Sequence, residues 1–388
     1  MSSLSDRATD AILPRFEQNF LERGELGASV CVWFGEDEIV NLAYGHTTRE
    51  RTTEWDEDTL VPVWSATKGP AALACLLALE EATLPLDAPV CEVWPRFACG
   101  GKERVTFAHV LSHTAGLSAL DEVVPILDYA AVIRALEDQA PVFPPGSKQA
   151  YQARTFGFLM DEIVQRITGA ASLGEYFRER IGGPMDLNFW IGLPQNEWPR
   201  VAKLYPGKMR VGTTDDEFLR AMNTRGSLTQ RTFASPAGLN SVQDMNAPET
   251  WARGFPSMGG VGTARALAQF YSMLANGGFW HGEKLVGEGI VRAFQTTLSQ
   301  AHDEVLCAEL AFSAGLMVDP FDNATEQKKR RIFGSSRAAF GHPGAGGSLA
   351  FADAQRGFGF AYVMNQMELG ALPGARALDL VEALDLVL

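Results

Sequence analysis

A hydroxyl and an amine stand three residues apart in the stretch Val63-Trp64-Ser65-Ala66-Thr67-Lys68-Gly69-Pro70. The pattern is Ser-x-x-Lys. The run Ala71-Ala72-Leu73-Ala74-Cys75-Leu76-Leu77 that follows reads as a helix, so Ser65 in its first turn would have Lys68 on the same face, near enough to share a proton. A serine hydroxyl is a weak nucleophile, but beside a base it can attack an acyl carbon and form a covalent ester. Two local oddities point the same way. A helix N-terminus carries partial positive charge and favours Asp or Glu, yet here it carries Lys68. That field, with partial burial, disfavours the ammonium and lowers the Lys68 pKa, as a base working near neutral pH requires. Pro70 cannot donate to the helix ladder and implies an irregular opening turn. An ordinary helix start would account for the same eight residues, since four-residue patterns recur by chance.

Further polar groups lie downstream. Phe143-Pro144-Pro145-Gly146 leads to Tyr151-Gln152-Ala153, and Gly341-His342-Pro343-Gly344-Ala345-Gly346-Gly347-Ser348 precedes a strand hairpin. Taken alone, Tyr151 reads as a buried tyrosine with a satisfied hydroxyl, and the glycines as a plain turn. Three sets of residues imitate sites. Gly346-Gly347-Ser348-Leu349-Ala350 nearly matches a Gly-x-Ser-x-Gly elbow, but that motif needs a helix after the serine, and a strand is expected here. His109 and His113 have helical i,i+4 spacing without the glutamate of His-Glu-x-x-His or a third ligand, so they read as structural and no metal is expected. His281 and His302 lie in polar segments without partner signals.

The elements that must position these residues follow from periodicity. Ala8, Ile12, Leu13, Phe16 and Phe20 predict an amphipathic helix over residues 3–22. Residues 28–34 and 38–44 predict a hairpin about the turn Gly35-Glu36-Asp37. Helix and loop signals dominate from Ser65 to about residue 245, with Thr106 a helix N-cap, Gly116 a stop, and a helix over 155–168 ended by Gly169. Residues 182–256, rich in Pro, Gly and Asn, are expected to line or cover a pocket. A helix is predicted over 263–275, strands over 312–318, 338–340, 348–353 and 359–364, and a last helix from about 375. Strands at both ends with helices between imply one antiparallel sheet flanked by helices, an α/β fold. The expected division is a subdomain of residues 1–75 and 250–388, a mainly helical insertion of 76–249, and a site between them.

Composition narrows the classes. The chain has 388 residues, 46% hydrophobic and 21% charged, with 38 glycines, as in a loop-rich globular enzyme. A formal charge of -14 and a pI near 5.0 argue against nucleic acid as a partner. The dense basic run Lys328-Lys329-Arg330-Arg331 reads as a solvated loop. No signal-like or bilayer-spanning apolar run is evident, so no membrane partner and a cytoplasmic location are expected. Five scattered cysteines without Cys-x-x-Cys spacing are expected to be reduced.

Taken together, Ser65, Lys68, Tyr151 and the 341–348 stretch resemble the serine β-lactamase and penicillin-binding-protein superfamily, most closely its class C-like branch of family VIII carboxylesterases. Leu111-Ser112-His113-Thr114-Ala115-Gly116-Leu117 and Ser257-Met258-Gly259-Gly260 also look like family elements. The resemblance covers nearly the whole chain. It implies a β-lactamase-like fold, catalysis by Ser65, Lys68 and Tyr151, and an oxyanion hole from the backbone N–H groups of Ser65 and Ala345. It further implies substrate contacts at Gln152, His342 and Gly344, no cofactor, and a small ester as partner; the oligomeric state is left open. Whether Lys68 or Tyr151 takes the Ser65 proton also stays open, because coupled groups titrate as a pair. Two departures bear on substrate. Ala153 stands where the Tyr-x-Asn motif has asparagine, and His342 where the Lys-Thr-Gly motif has lysine. A histidine is largely neutral near pH 7 and cannot hold a β-lactam carboxylate by charge. The expected activity is therefore a serine carboxylesterase for short esters. A β-lactamase or D-amino-acid amidase, an acyltransferase, and a catalytically silent scaffold are the rivals.

Overall fold

The computed structural model describes residues 3–207, 217–322 and 324–388, so part of the loop-rich 182–256 stretch, residues 208–216, lies outside the described residues. The first helix, α1 (Leu4–Leu21), starts at Ser3, whose side chain accepts the Asp6 N–H while the Asp6 side chain accepts the Ser3 N–H. This reciprocal cap satisfies two of the open N–H groups of the first turn. The hairpin β1 (Gly27–Phe34) and β2 (Asp37–Gly45) follows. The main helices after it are α2 (Lys68–Glu81), α3 (Phe107–Leu111), α4 (Thr155–Thr168) and α5 (Ala264–Ala275). Six strands come next: β3 (Ser299–Asp303), β4 (Ala308–Phe312), β5 (Met317–Val318), β6 (Ala339–Pro343), β7 (Leu349–Asp353) and β8 (Phe358–Met364). Helix α6 (Ala375–Asp385) closes the chain.

One antiparallel sheet of eight strands runs in the order β2-β1-β8-β7-β6-β5-β4-β3. Both of its faces are buried, which is why β1 and β8 are apolar almost throughout instead of alternating with polar residues. Val30, Val32, Phe360 and Tyr362 join α1 and α6 in one core, while Cys31, Trp33, Ala361 and Val363 join α2, α4 and α5 in another. The period of two is therefore kept in side-chain direction although not in polarity. Small residues let α5 lie close: a Cβ on Gly359 would overlap the backbone of Ala268 and Ser272.

Four expectations change. The apolar run 312–318 is not one strand. Phe312 ends β4 and Met317 begins β5, with a turn between them in which Ser313 N–H donates to Leu316 O (2.8 Å) and Gly315 takes φ +91°. A tight turn buried on all sides keeps the hydrophobicity of a strand, so the pattern hid it. Gly116 does not stop a helix: α3 ends five residues earlier, and Gly116 (φ +72°) serves a later turn. The edge strand β3 was not expected, because Ser299-Gln300-Ala301-His302-Asp303 lacks branched and aromatic residues. The basic run is not wholly a solvated loop, since the Lys328 side chain is buried against Asp319 (2.8 Å).

Candidate active site

Ser65 opens a single 3-10 turn, Ser65–Thr67, that feeds directly into α2. Pro70 falls within the first turn of α2, where an N–H has no helical partner to lose. The residue before the serine, Trp64, takes φ +53° and ψ −132°, a backbone state costly for a bulky side chain and one that clusters at functional sites. Neighbours hold it there. Val63 N–H donates to Gly260 O (2.9 Å), and Gly260 N–H donates to Thr67 Oγ1 (2.8 Å). Nothing in the local sequence signals this strain. Ser65 is half-buried, while Lys68, one turn on, is fully enclosed.

Lys68 Nζ lies 3.3 Å from Ser65 Oγ, 3.2 Å from Ala153 O and 2.7 Å from Ser257 O. A neutral amine has two N–H bonds and one lone pair. Lys68 Nζ thus has three acceptors around it; in the neutral form, with both N–H bonds on the carbonyls, its lone pair would be left for the Ser65 hydroxyl. No carboxylate pairs with the amine among the described residues, and burial holds its pKa well below the ordinary lysine value. Burial here is complete, not partial as the sequence suggested. Ala153, which lacks the amide of the Tyr-x-Asn pattern, still serves Lys68 through its backbone.

Tyr151 reaches the same spot from the irregular chain ahead of α4. Its ring lies 4.7 Å from Lys68 Nζ, and its hydroxyl is 3.5 Å from His342 Nε2. Burial pushes the phenol well above the usual tyrosine range, a hydrogen bond with Ser65 pulls it back in part, and Asp303 adds to the upward push. His342 sits on β6, paired with Ala350 of β7. Its Nδ1 lies 2.7 Å from Pro343 O, so the proton belongs on Nδ1 and the Nε2 lone pair faces Tyr151. Burial, with Lys68 adding to it, pushes the His342 pKa down to about 3. The ring is thus neutral at any pH near 7.

The turn after β6 lies against the serine. Gly344 has no room for a side chain, since a Cβ would overlap the Val63 carbonyl oxygen. Among the described residues, neither the Ser65 nor the Ala345 N–H has a backbone acceptor. Two free N–H groups on segments packed together are what an oxyanion needs. Gln152 is fully buried, and its backbone N–H donates to His113 Nδ1 (3.2 Å).

The imitators separate from the site. His109 accepts the Thr106 N–H (3.2 Å) and closes the α3 cap. His113 lies beyond the end of α3 with φ +60°, so the two histidines do not form a helical pair. The His113 ring packs on Tyr151 with centroids 4.8 Å apart. Ser348 is fully buried and its hydroxyl has no hydrogen-bond partner among the described residues, hence no base. Sequence reading missed Ser257 as a carbonyl partner of Lys68, and Asp303, whose carboxylate accepts the Tyr151 N–H (3.2 Å). An aspartate in a polar segment 152 residues away carries no local signal of that contact.

Known proteins resemble this chain over nearly its whole length. The family described as Beta-lactamase matches residues 13–384. A protein of Mycobacterium tuberculosis, Esterase/beta-lactamase LipL, is 30% identical over 365 residues, covering 92% of this chain and 81% of its own. Among solved structures, a penicillin-binding protein homologue from Caulobacter crescentus superposes with a TM-score of 0.85 at 34% identity, over 99% of this chain and 98% of that one. A family VIII carboxylesterase superposes with a TM-score of 0.86 at 30% identity, over 98% of each chain.

Proposed function

We propose that this chain, which belongs to the β-lactamase family, is a serine carboxylesterase that cleaves small uncharged esters through an acyl-enzyme on Ser65. The observation that carries the reading is the enclosed Lys68 amine, aimed at Ser65 with both other contacts to carbonyls. Burial moves the two proton-transfer groups apart, Lys68 downward and Tyr151 upward. Groups separated in this way divide acid and base work between them. Lys68 takes the Ser65 proton as Oγ attacks the ester carbon. The N–H groups of Ser65 and Ala345 hold the oxyanion, and Tyr151 gives its proton to the departing alcohol. Water then enters and the same groups act in reverse order, releasing the acid and restoring Ser65.

The ester reading rests on charge. His342 is neutral where a lysine would attract a carboxylate. Arg154, the cation next to the Tyr151–Ala153 stretch, is taken up by the carbonyls of Pro236, Gly238 and Leu239. A β-lactam also stays tethered after ring opening and obstructs water, whereas an ester loses its alcohol. Likeness to a family VIII carboxylesterase and to the mycobacterial esterase/β-lactamase makes β-lactam hydrolysis the rival to test. Efficient turnover of acetyl to hexanoyl p-nitrophenyl esters is expected, with nitrocefin slow or undetectable on the same preparation. A kcat/KM for nitrocefin equal to that for the best ester would replace the esterase by the β-lactamase. Fluorophosphonate labelling followed by mass spectrometry should place the adduct on Ser65; no labelling would favour the silent scaffold.

The pH dependence has a defined sign. The working form of Lys68 is the neutral amine, so kcat/KM rises as pH climbs through its lowered pKa. Tyr151 must keep its proton, and its raised pKa carries the plateau into mildly alkaline solution. His342, at about 3, adds no limb near neutrality. An activity maximum below about pH 5 would contradict Lys68 as the base.

A further inference from the structure

We propose that Asp303 is a positioning residue for Tyr151: its buried carboxylate holds the backbone N–H of Tyr151 and seats the irregular 149–151 segment on the edge of β3. The inference rests on the proton-donor role of Tyr151 given above. Asp303 is fully buried at the end of β3. Its Oδ1 accepts three backbone N–H groups, those of Tyr151 (3.2 Å), Val305 (3.0 Å) and Leu306 (2.8 Å). Its Oδ2 accepts from Gln149 Nε2 (3.3 Å). Burial pushes the Asp303 pKa up and the four donors pull it back in part, every contact being with a donor and no cation pairing with it among the described residues. Three such bonds to one oxygen fix its place firmly.

The surroundings make this the join between two distant parts of the chain. Gln149 and Asp303 form a parallel bridge, Glu304 N–H donates to Gln149 O (2.9 Å), and Ser299 Oγ donates to Gln149 Oε1 (2.6 Å). On the opposite side, Ala150 N–H donates to His113 O (2.9 Å). The segment has no helix or strand of its own, so these bonds replace the rigidity that an element would supply. A catalytic side chain on an irregular segment needs such support, because small displacements of a proton donor are costly in rate. Asp303 also closes its own turn, since the bonds to Val305 and Leu306 are those of an aspartate turn. The groups that face Tyr151 are Ser65 and Lys68 from the α2 side, His113 after α3, His342 from β6 and Asp303 from β3.

The test uses leaving groups. A p-nitrophenolate departs without a proton, but an alkoxide needs one, so a displaced Tyr151 should slow alkyl esters selectively. In purified Asp303→Ala, kcat/KM on ethyl butyrate, which reports acylation and not the deacylation shared by the two esters, should fall about tenfold to a hundredfold further than kcat/KM on p-nitrophenyl butyrate. Asp303→Asn keeps one acceptor oxygen for the Tyr151 N–H and should restore the ratio to within about threefold of the unaltered protein, the small residue expected when only charge assistance to the hydrogen bonds is lost. Tyr151→Phe is the reference and should show the same selective loss. If Asp303→Ala lowers both esters equally while Tyr151→Phe is selective, Asp303 is merely structural and the proposal fails. If Tyr151→Phe is itself unselective, the donor role fails, and Asp303 is then judged by the isotope-labelled Tyr151 ring resonance. That signal should move or broaden in Asp303→Ala and return in Asp303→Asn; an unmoved signal overturns the proposal. Should Asp303→Ala not fold, Asp303→Ser carries both measurements, because its hydroxyl can close the 303–306 turn but falls short of Tyr151.

Discussion

Ser65→Ala should leave a folded protein with essentially no esterase turnover. The expectation rests on the Ser65 hydroxyl lying 3.3 Å from Lys68 Nζ, the proposed base. Ser348, the other serine in a motif-like setting, is enclosed, and its hydroxyl has no hydrogen-bond partner among the described residues. Loss of a nucleophile from a unit of this kind costs roughly ten-thousandfold or more in kcat. The half-buried hydroxyl contributes little packing, so the circular dichroism spectrum and melting temperature should barely change. Turnover of p-nitrophenyl butyrate by the purified variant is the measurement. Substantial residual activity, after exclusion of contaminating esterase, would remove Ser65 from the mechanism.

Lys68→Ala and Tyr151→Phe should each lower kcat by on the order of a hundredfold or more, the scale on which positioned acid–base groups act. The double variant should be far less impaired than the product of the two losses. The two side chains and Ser65 lie together: the amine is 4.7 Å from the Tyr151 ring and 3.3 Å from Ser65 Oγ. Groups that move protons as a unit give non-additive losses. Independent, multiplicative penalties would argue that Lys68 and Tyr151 serve separate steps. Lys68→Ala also deprives the Ala153 and Ser257 carbonyls of a donor, so its melting temperature should be measured alongside. Tyr151→Phe keeps the ring packed on His113 and is the cleaner of the two.

What was readable in the chain, and what was not, follows the reach of each interaction. Helices α1, α4, α5 and α6 and the β1–β2 hairpin could be read locally, because caps, turn residues and apolar period act within a few positions. The turn at 313–316 could not, because burial on every side erased the polarity that marks turns.

The candidate site divides along the same line. The sequence by itself determined that Ser65 and Lys68 are neighbours, since three residues of helical turn allow nothing else, and it singled out Tyr151 and the glycine turn at Gly344 by resemblance. It also determined that a histidine stands at position 342. Only the tertiary structure decided the electrical state of these groups. Complete enclosure lowers the Lys68 pKa, and carbonyls from residues 153 and 257 hold the amine in place. His342 is kept neutral by burial and by the Pro343 carbonyl that fixes its tautomer. Tyr151 is placed by an aspartate 152 residues further on. Desolvation and long-range hydrogen bonds depend on which distant segments are brought around a group, and no spacing along the chain encodes that.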